Sequence, residues 1–364
     1  MYIHEKNNWT QFYWNEAEVN PLVERACRET GRLYGRLDAL GVDARMQVAA
    51  ENVAEDVLRS SEIEGVLLNI DEVRSSVARN LGVESMFHGV QMPSRGGDAV
   101  VGVMMRAMAH YDQPVDKALL CAWHSALFES GFSGGVPVLV GQYRQCAEQI
   151  VSGAFGRERV HYVAPAPERV EEEMQQFLSW FNTPASTSQI IRSAIAHLWF
   201  VSIHPFEDGN GRISRLLGEM CLARGDKSTT RFYSIAAAIN RDKKNYYRCL
   251  ETVQRGNGDI TVWLVWYIET LVNAVNRAEE QLDCMMYKAL FWQRHAGVEL
   301  SERQRTTINC LLDKGTTWMM SRTWAHLAKC SSDTALRDLQ DLQTKGLVAI
   351  ENPEAKRYTY YFTE

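Results

Sequence analysis

The 364-residue chain has no apolar run long enough to span a bilayer. Its first residues, MYIHEKNNWTQFYWN, lack the basic-then-apolar layout of a signal peptide. There is no CxxC pair: the eight cysteines, from Cys27 to Cys330, are scattered, which argues against a disulfide frame or a zinc ribbon and for reduced thiols. There is no basic excess either, since the formal charge is -6, so a role coating nucleic acid or anionic membrane is disfavoured. Repeats of 20–50 residues and low-complexity tracts are missing, which excludes solenoids and long disordered arms. The expected compartment is the cytoplasm, bacterial in overall character. What remains is an ordinary globular composition, 46% hydrophobic and 23% charged, in a chain long enough for two or three domains.

Most of that chain reads as helix. EAEVNPLVERACRETGRLYGRLDALG carries apolar residues at helical spacing, with Gly41 as a stop. DARMQVAAENVAEDVLRSSEIEG continues to Gly65, and Asn69 or Asp71 caps a third helix. The Gly/Pro/Ser-rich HGVQMPSRGGDAV (88–100) marks a domain boundary. EQIVSG and RVHYVAP, separated by Ala154-Phe155-Gly156, read as a β-hairpin. Helical periodicity then dominates from Glu168 to about Ala296. Three short helices and two strands around Asn352-Pro353 follow, the order of a winged helix-turn-helix. The expected fold class is mainly α, with domains at 1–90, 91–296 and 297–364.

The chemistry concentrates in SIHPFEDGNGRISRLL, residues 202–217. Gly209, Asn210 and Gly211 precede an apolar periodic segment, so their backbone N–H groups lead into a helix N-terminus, where an anion is favoured. Glycine lets the backbone approach a phosphate with no Cβ between. Arg212 and Arg215 are three apart, share a helix face and suit phosphate oxygens. Asp208 is a hard oxygen donor of the kind Mg²⁺ takes singly beside phosphates. His204 is a proton acceptor near neutral pH. Taken alone, each has a structural reading as a cap or a core residue. The set reads as a phosphate-and-metal loop with an adjacent base.

HPFEDGNGRISR resembles the Fic family signature HPFx[D/E]GN[G/K]RxxR at every specified position. AWHSALF, GQYR, the VSG…HYVAP hairpin, FLSWFN and NYYRCLE extend the likeness. The resemblance implies a helical Fic core that transfers AMP from ATP, with Mg²⁺, to a protein hydroxyl of Ser, Thr or Tyr. By the same resemblance His204 is the base, and Asp208 the metal ligand. Gly209, Asn210 and Gly211 line the anion hole, Arg212 meets the leaving phosphates, and Arg215 meets the γ-phosphate. Glycine at 211, where some phosphorylating relatives have lysine, favours AMP transfer. The hairpin 148–163 corresponds to a flap that docks the target protein by strand addition. Tyr246 and Tyr247 are adenine-side candidates, with a core position as the alternative for each.

SSEIEG then acquires a meaning. Ser60, Glu64 and Gly65 match the family's inhibitory pattern [S/T]xxxE[G/N], which implies that Glu64 pairs with Arg215 and restrains the enzyme. A glutamate so placed also suits the reverse reaction, protein de-adenylylation. The resemblance further admits a homodimer and self-modification. For the C-terminal module, Ser301–Glu364 holds nine Lys+Arg and eight Asp+Glu. Asp333, Asp338 and Asp341 sit on the helix that would read DNA, against Arg337 and Lys345, with Lys356 and Arg357 on the wing. That favours packing, dimerisation or target docking over DNA. A DNA-binding regulator whose Fic core senses nucleotide is the remaining alternative.

Overall fold

The computed structural model describes residues 1–83, 95–153, 157–351 and 359–363, with backbone alone at Arg95 and Gly96. The hairpin tip at 154–156, the wing at 352–358 and most of the 88–100 break lie outside them. The fold is mainly α. Among the described residues no helix is long and apolar enough to cross a membrane. The chain divides into two compact units, Met1–Asn276 and Arg277–Glu364.

The first unit opens with α1 (Glu16–Asp38), α2 (Val42–Ile63) and α3 (Ile70–Leu81). The stop expected at Gly41 is not used: α1 ends at Asp38, and Gly41 is the extended N-cap of α2. Asn69 does cap α3, accepting from the N–H groups of Asp71 and Glu72. Then come α4 (Arg95–Ala109) and α5 (Lys117–Leu127), followed by the short hairpin β1 (Phe132–Ser133) and β2 (Val136–Pro137). The longer hairpin, β3 (Gln149–Ser152) with β4 (Arg159–Val163), stands where the sequence places it. The remaining helices are α6 (Pro167–Asn182), α7 (Gln189–Ile203), α8 (Asn210–Asp226), α9 (Ile235–Arg241) and α10 (Lys243–Gln254). The long α11 (Thr261–Arg294) runs on into the second unit.

Two helices set the core. In α7, QIIRSAIAHLWFVSI buries nearly every residue from Ile191 to Ile203, as expected of a helix apolar all round. Its partner α8 buries Arg212 to Ala223. They pack along each other, so the loop joining them, residues 204–209, is held between two buried helix ends. The helix α2 meets α8 and also docks on α9. Its buried Asp56 accepts from Ser234 Oγ at 2.6 Å and Ala236 N at 3.1 Å, capping α9 from outside. Asp56 and Ser60, four apart, share one face of α2, and Glu64, its C-cap, comes four residues later.

The second unit continues with α12 (Glu302–Leu312), α13 (Ser321–Leu327) and α14 (Ser332–Thr344). These meet a three-stranded antiparallel sheet in the order β5 (Trp318–Met320), β7 (Thr359–Phe362), β6 (Val348–Ile350). Strand β5 was not legible in the sequence. Trp324, Leu339, Leu342 and Tyr360 are among its buried core. Two acidic residues of α14 have internal partners. Asp338 takes a two-pronged bond from Arg303 at 2.8 and 2.9 Å, and Asp341 accepts from Gln304 and Lys345.

Candidate active site

His204 ends α7 in the left-handed region, at φ 54° and ψ 58°. A non-glycine residue there costs energy, on the order of 1–3 kcal/mol, and must be held by its surroundings. Arg144 does the holding. It is 2% exposed, and its Nε donates to the His204 carbonyl at 2.7 Å. The same guanidinium reaches the carbonyls of Cys146 and Pro165, and the Arg144 N–H donates to Pro205 O at 2.8 Å. One side chain thus fixes the turn that aims the histidine. GQYR was visible in the sequence, but nothing in its spacing distinguishes a clamp from a surface arginine.

The His204 ring is oriented as well. Nδ1 lies 3.2 Å from the Val201 carbonyl, which only accepts, so the ring proton sits on Nδ1 and the Nε2 lone pair is left free. Burial pushes the imidazole pKa down to about 4, with the Arg144 charge acting in the same direction. The ring is therefore neutral, a base rather than an acid, throughout the physiological range. Lysine at 144 keeps the charge but cannot serve three carbonyls with one planar fork. Arg144→Lys is expected to lower turnover at least tenfold while the nucleotide KM hardly moves, which steady-state kinetics would check. Its melting temperature is expected to fall by several degrees.

The rest of the loop is braced from below. Asn210 makes two hydrogen bonds to Phe206, accepting from its N–H at 3.0 Å and donating to its carbonyl at 2.7 Å. Its side chain therefore shapes the loop, and as the first residue of α8 its backbone N–H is among the donors that a helix start leaves without an intrahelical partner. His124, buried on α5, stacks on Phe206 with 4.3 Å between ring centroids. It accepts from Gly141 N at 3.0 Å and donates to Asp208 O at 3.2 Å. Burial lowers its pKa, consistent with a neutral ring bridging two loops. Gly209, at φ +80°, is the N-cap of α8, and a Cβ there would meet the Phe128 ring at 2.8 Å. No other residue fits that position.

Arg212 and Arg215 project from the first turns of α8. Arg212 is 8% exposed and lies over the Phe128 ring at 4.7 Å. Its nearest acidic oxygen, on Asp208, is 4.0 Å away, and its Nε and Nη2 have no hydrogen-bond partner among the described residues. Arg215 is 3% exposed; it donates from Nε to Ser60 Oγ at 2.9 Å and from Nη2 to Ser60 O at 2.8 Å and Glu64 Oε1 at 2.7 Å. Its Nη1 is also without a partner among the described residues. Two buried guanidinium groups with unmatched donors, beside a helix N-terminus, form a strong anion site.

Glu64 reaches Arg215 because α2 ends in a Schellman motif: Val66 N donates to Ser61 O, Gly65 N to Glu62 O, and Gly65 takes φ +80°. Lys243 Nζ and Tyr247 OH, both on α10, contact the Ile63 carbonyl at that end. The carboxylate lies on Gly211, where a Cβ would fall 2.1 Å from Glu64 Oε1. The sequence thus brings Ser60, Glu64, Gly65, Arg215 and Gly211 into one place. The two tyrosines part company. Tyr246 is 2% exposed, bonded to His197 and packed among tryptophans of α11, so it is a core residue; Tyr247 is 44% exposed.

Asp208 accepts from the Gly209 N–H on one oxygen and from the Ser133 hydroxyl on the other, and its side chain is 37% exposed. Ser133 comes from the β1–β2 hairpin, which the sequence reading did not single out. Among the described residues no group of three His, Cys, Asp or Glu side chains converges as a metal cage. A single accessible carboxylate beside a phosphate site does fit a cation that keeps most of its coordination for phosphates and water, as Mg²⁺ does.

Comparison with known proteins agrees with this geometry. Residues 114–222 match the Fic/DOC family, and residues 2–83 match a domain of unknown function, DUF4172. Over 115 residues the chain is 34% identical to the protein adenylyltransferase Fic of Drosophila willistoni, which is 30% of this chain and 22% of that protein. The chain thus spans between 22% and 30% of the length of the curated relatives it matches. A Fic family protein from Desulfovibrio desulfuricans shares its fold over 96% of this chain and 97% of its own, with a TM-score of 0.57 and 21% identity. A Fic-domain-containing signaling protein from Bacteroides thetaiotaomicron matches 72% of this chain and 95% of its own, with a TM-score of 0.50 and 18% identity. The loop and its two arginines lie within residues 114–222, the segment that matches the Fic/DOC family.

Proposed function

We propose that the protein transfers AMP from ATP to a Ser, Thr or Tyr hydroxyl of a target protein, and that Glu64 restrains it. The observation that carries the proposal is the pair of buried arginines, Arg212 and Arg215, with unmatched donors at the start of α8. Such donors favour a phosphate chain, and the Drosophila relative is named for adenylyl transfer.

In this reading the backbone N–H groups of Asn210 and Gly211 and the Arg212 guanidinium hold the phosphates. His204 Nε2 takes the proton of the attacking hydroxyl. That oxygen bonds to the α-phosphorus while the bond to the β-phosphate oxygen breaks, and pyrophosphate leaves against the arginines. Transfer of this kind depends on positioning and charge stabilisation, which a braced loop supplies. Mg²⁺ held by Asp208 would neutralise phosphate charge. The target segment would add to the β3–β4 hairpin as a further strand.

Arg215 cannot serve a γ-phosphate while Glu64 and Ser60 occupy it, so the resting form would bind ATP unproductively. De-adenylylation is favoured by a different observation: the Glu64 carboxylate lies on Gly211, beside the same anion position, where it could orient water. ATP labelled on the α-phosphate decides between them. Label kept on protein, lost on replacing His204, supports transfer; release of AMP from a premodified protein without any labelling overturns it.

A further inference from the structure

The β3–β4 hairpin carries a polar relay that the catalytic loop does not use. Ser152 Oγ lies 2.6 Å from His161 Nε2, and His161 Nδ1 lies 2.8 Å from Glu251 Oε2. The hydrogen bond from His161 holds the Glu251 carboxyl below its usual pKa, so it is a carboxylate that only accepts. It therefore keeps the ring proton on Nδ1 and turns the Nε2 lone pair to the serine. A hydroxyl, a base and a carboxylate that orients the base, in hydrogen-bond series, make an activated nucleophile.

The backbone is built around this contact. Ile150 pairs with Tyr162 and Val151 with Val160, so His161 is the extra residue of a β-bulge. Bulges re-aim a side chain out of strict alternation. Ser152 is exposed and pairs with Arg159 across the hairpin. Gly153 follows at φ +112°, and a Cβ there would lie 2.8 Å from Arg157 O, so a turn that only glycine fits comes directly after the serine. Glu251 arrives from α10 and is fixed by Arg159 Nη2 at 3.0 Å and Arg255 Nε at 3.3 Å. Arg255 also donates to the carbonyls of His161 and Val160.

We propose that Ser152 is a second nucleophilic centre of this protein, activated by His161 and Glu251, that reacts with phosphate esters or anhydrides. Oγ attacks phosphorus as His161 Nε2 takes its proton; the Oγ–P bond forms, and the bond from phosphorus to the leaving group breaks with its electron pair. Arg159, paired across the hairpin with Ser152, and Arg255, bonded to the His161 and Val160 carbonyls, bring positive charge to the relay, which suits an electrophile whose oxygens are negative. The groups facing His161 are Ser152 from β3, Glu251 and Arg255 from α10, and Arg159 on its own strand. The centre works independently of transfer by the catalytic loop.

A fluorophosphonate probe on the full chain tests this, with the adduct mapped by mass spectrometry. The Oγ–P bond forms as fluoride leaves. Ser152 is expected to label at least about tenfold faster than exposed Ser130, and Ser152→Ala to remove the adduct. His161→Ala and the near-isosteric Glu251→Gln should each slow labelling about tenfold or more at unchanged far-UV spectrum, while His204→Ala leaves it untouched. Labelling of Ser152 no faster than of Ser130, or indifferent to both relay variants, overturns the proposal.

Discussion

Glu64→Gly is expected to raise AMP transfer about 10- to 100-fold, the value of one charge-assisted hydrogen bond of about 1.5–3 kcal/mol. The bond at issue is the 2.7 Å contact from Arg215 Nη2 to a carboxylate whose side chain is a quarter exposed. Arg215 itself has almost no access to water, so the carboxylate it loses is not replaced by solvent. Ser60 still accepts from Nε through its hydroxyl and from Nη2 through its carbonyl, so the guanidinium stays in position but is electrostatically unsatisfied. ATP then supplies the missing anion. Label retained from α-labelled ATP, followed over time, gives the rate. Glu64→Gln, which keeps the shape and removes the charge, should fall between parent and glycine variant. Equal rates in all three would show that this ion pair is no restraint. Arg215→Ala should remain inactive in either background, because the released group is what the phosphate needs.

The second large effect belongs to the base. His204→Ala is expected to reduce transfer by about 10²- to 10⁴-fold in the Glu64→Gly background, where the signal is measurable. The pH profile carries more information than the loss. With the imidazole pushed down to about 4, the neutral base is fully present at pH 8 and still present near pH 5.5. The rate should therefore stay level across that range and fall only as pH approaches 4. An unperturbed histidine would begin to fail near 6.5. Stability follows the same sign. The unfolded chain takes up a proton near 6.5 that the folded His204 refuses until about 4, so stability drops as pH falls through that window. His4, also pushed to about 4 by burial, adds to the drop. Melting curves between pH 7 and 4 would show the loss, and it should shrink in His204→Ala.

The catalytic loop was legible because its chemistry is written in consecutive residues. From His204 to Arg215, spacing alone places a base, a carboxylate, glycines and two arginines on one loop-to-helix junction. Glu64 was legible only through the family pattern, since a glutamate at a helix end is ordinarily solvated. The supports were not legible. Arg144, His124 and Ser133 reach the loop from positions 60 to 84 residues away in sequence, and no local period marks such partners. Tyr246 and Tyr247 stayed open between the adenine side and the core for a related reason: which ring of an aromatic pair on a helix turns inward depends on the helix it meets. Gly41 looked like a stop because glycine does end helices, but here it begins one. The mainly helical class was plain from periodicity, whereas the three-residue strand β5 takes its identity from β7, some forty residues downstream.

Gly211 has an evolutionary consequence. The absent Cβ leaves room for Glu64 in the resting form, and the same vacancy is where the phosphate chain would lie in the working form. Any side chain at this position would evict the glutamate and crowd the donor together. A lineage under selection for constant activity therefore gains nothing by mutating the loop. It has to erode the far partner, on α2, where changes at Ser60 or Glu64 leave the loop whole. If Glu64 acts as the proposed restraint, its tuning and the preservation of the chemistry are assigned to separate parts of the chain, so the two can drift at different rates.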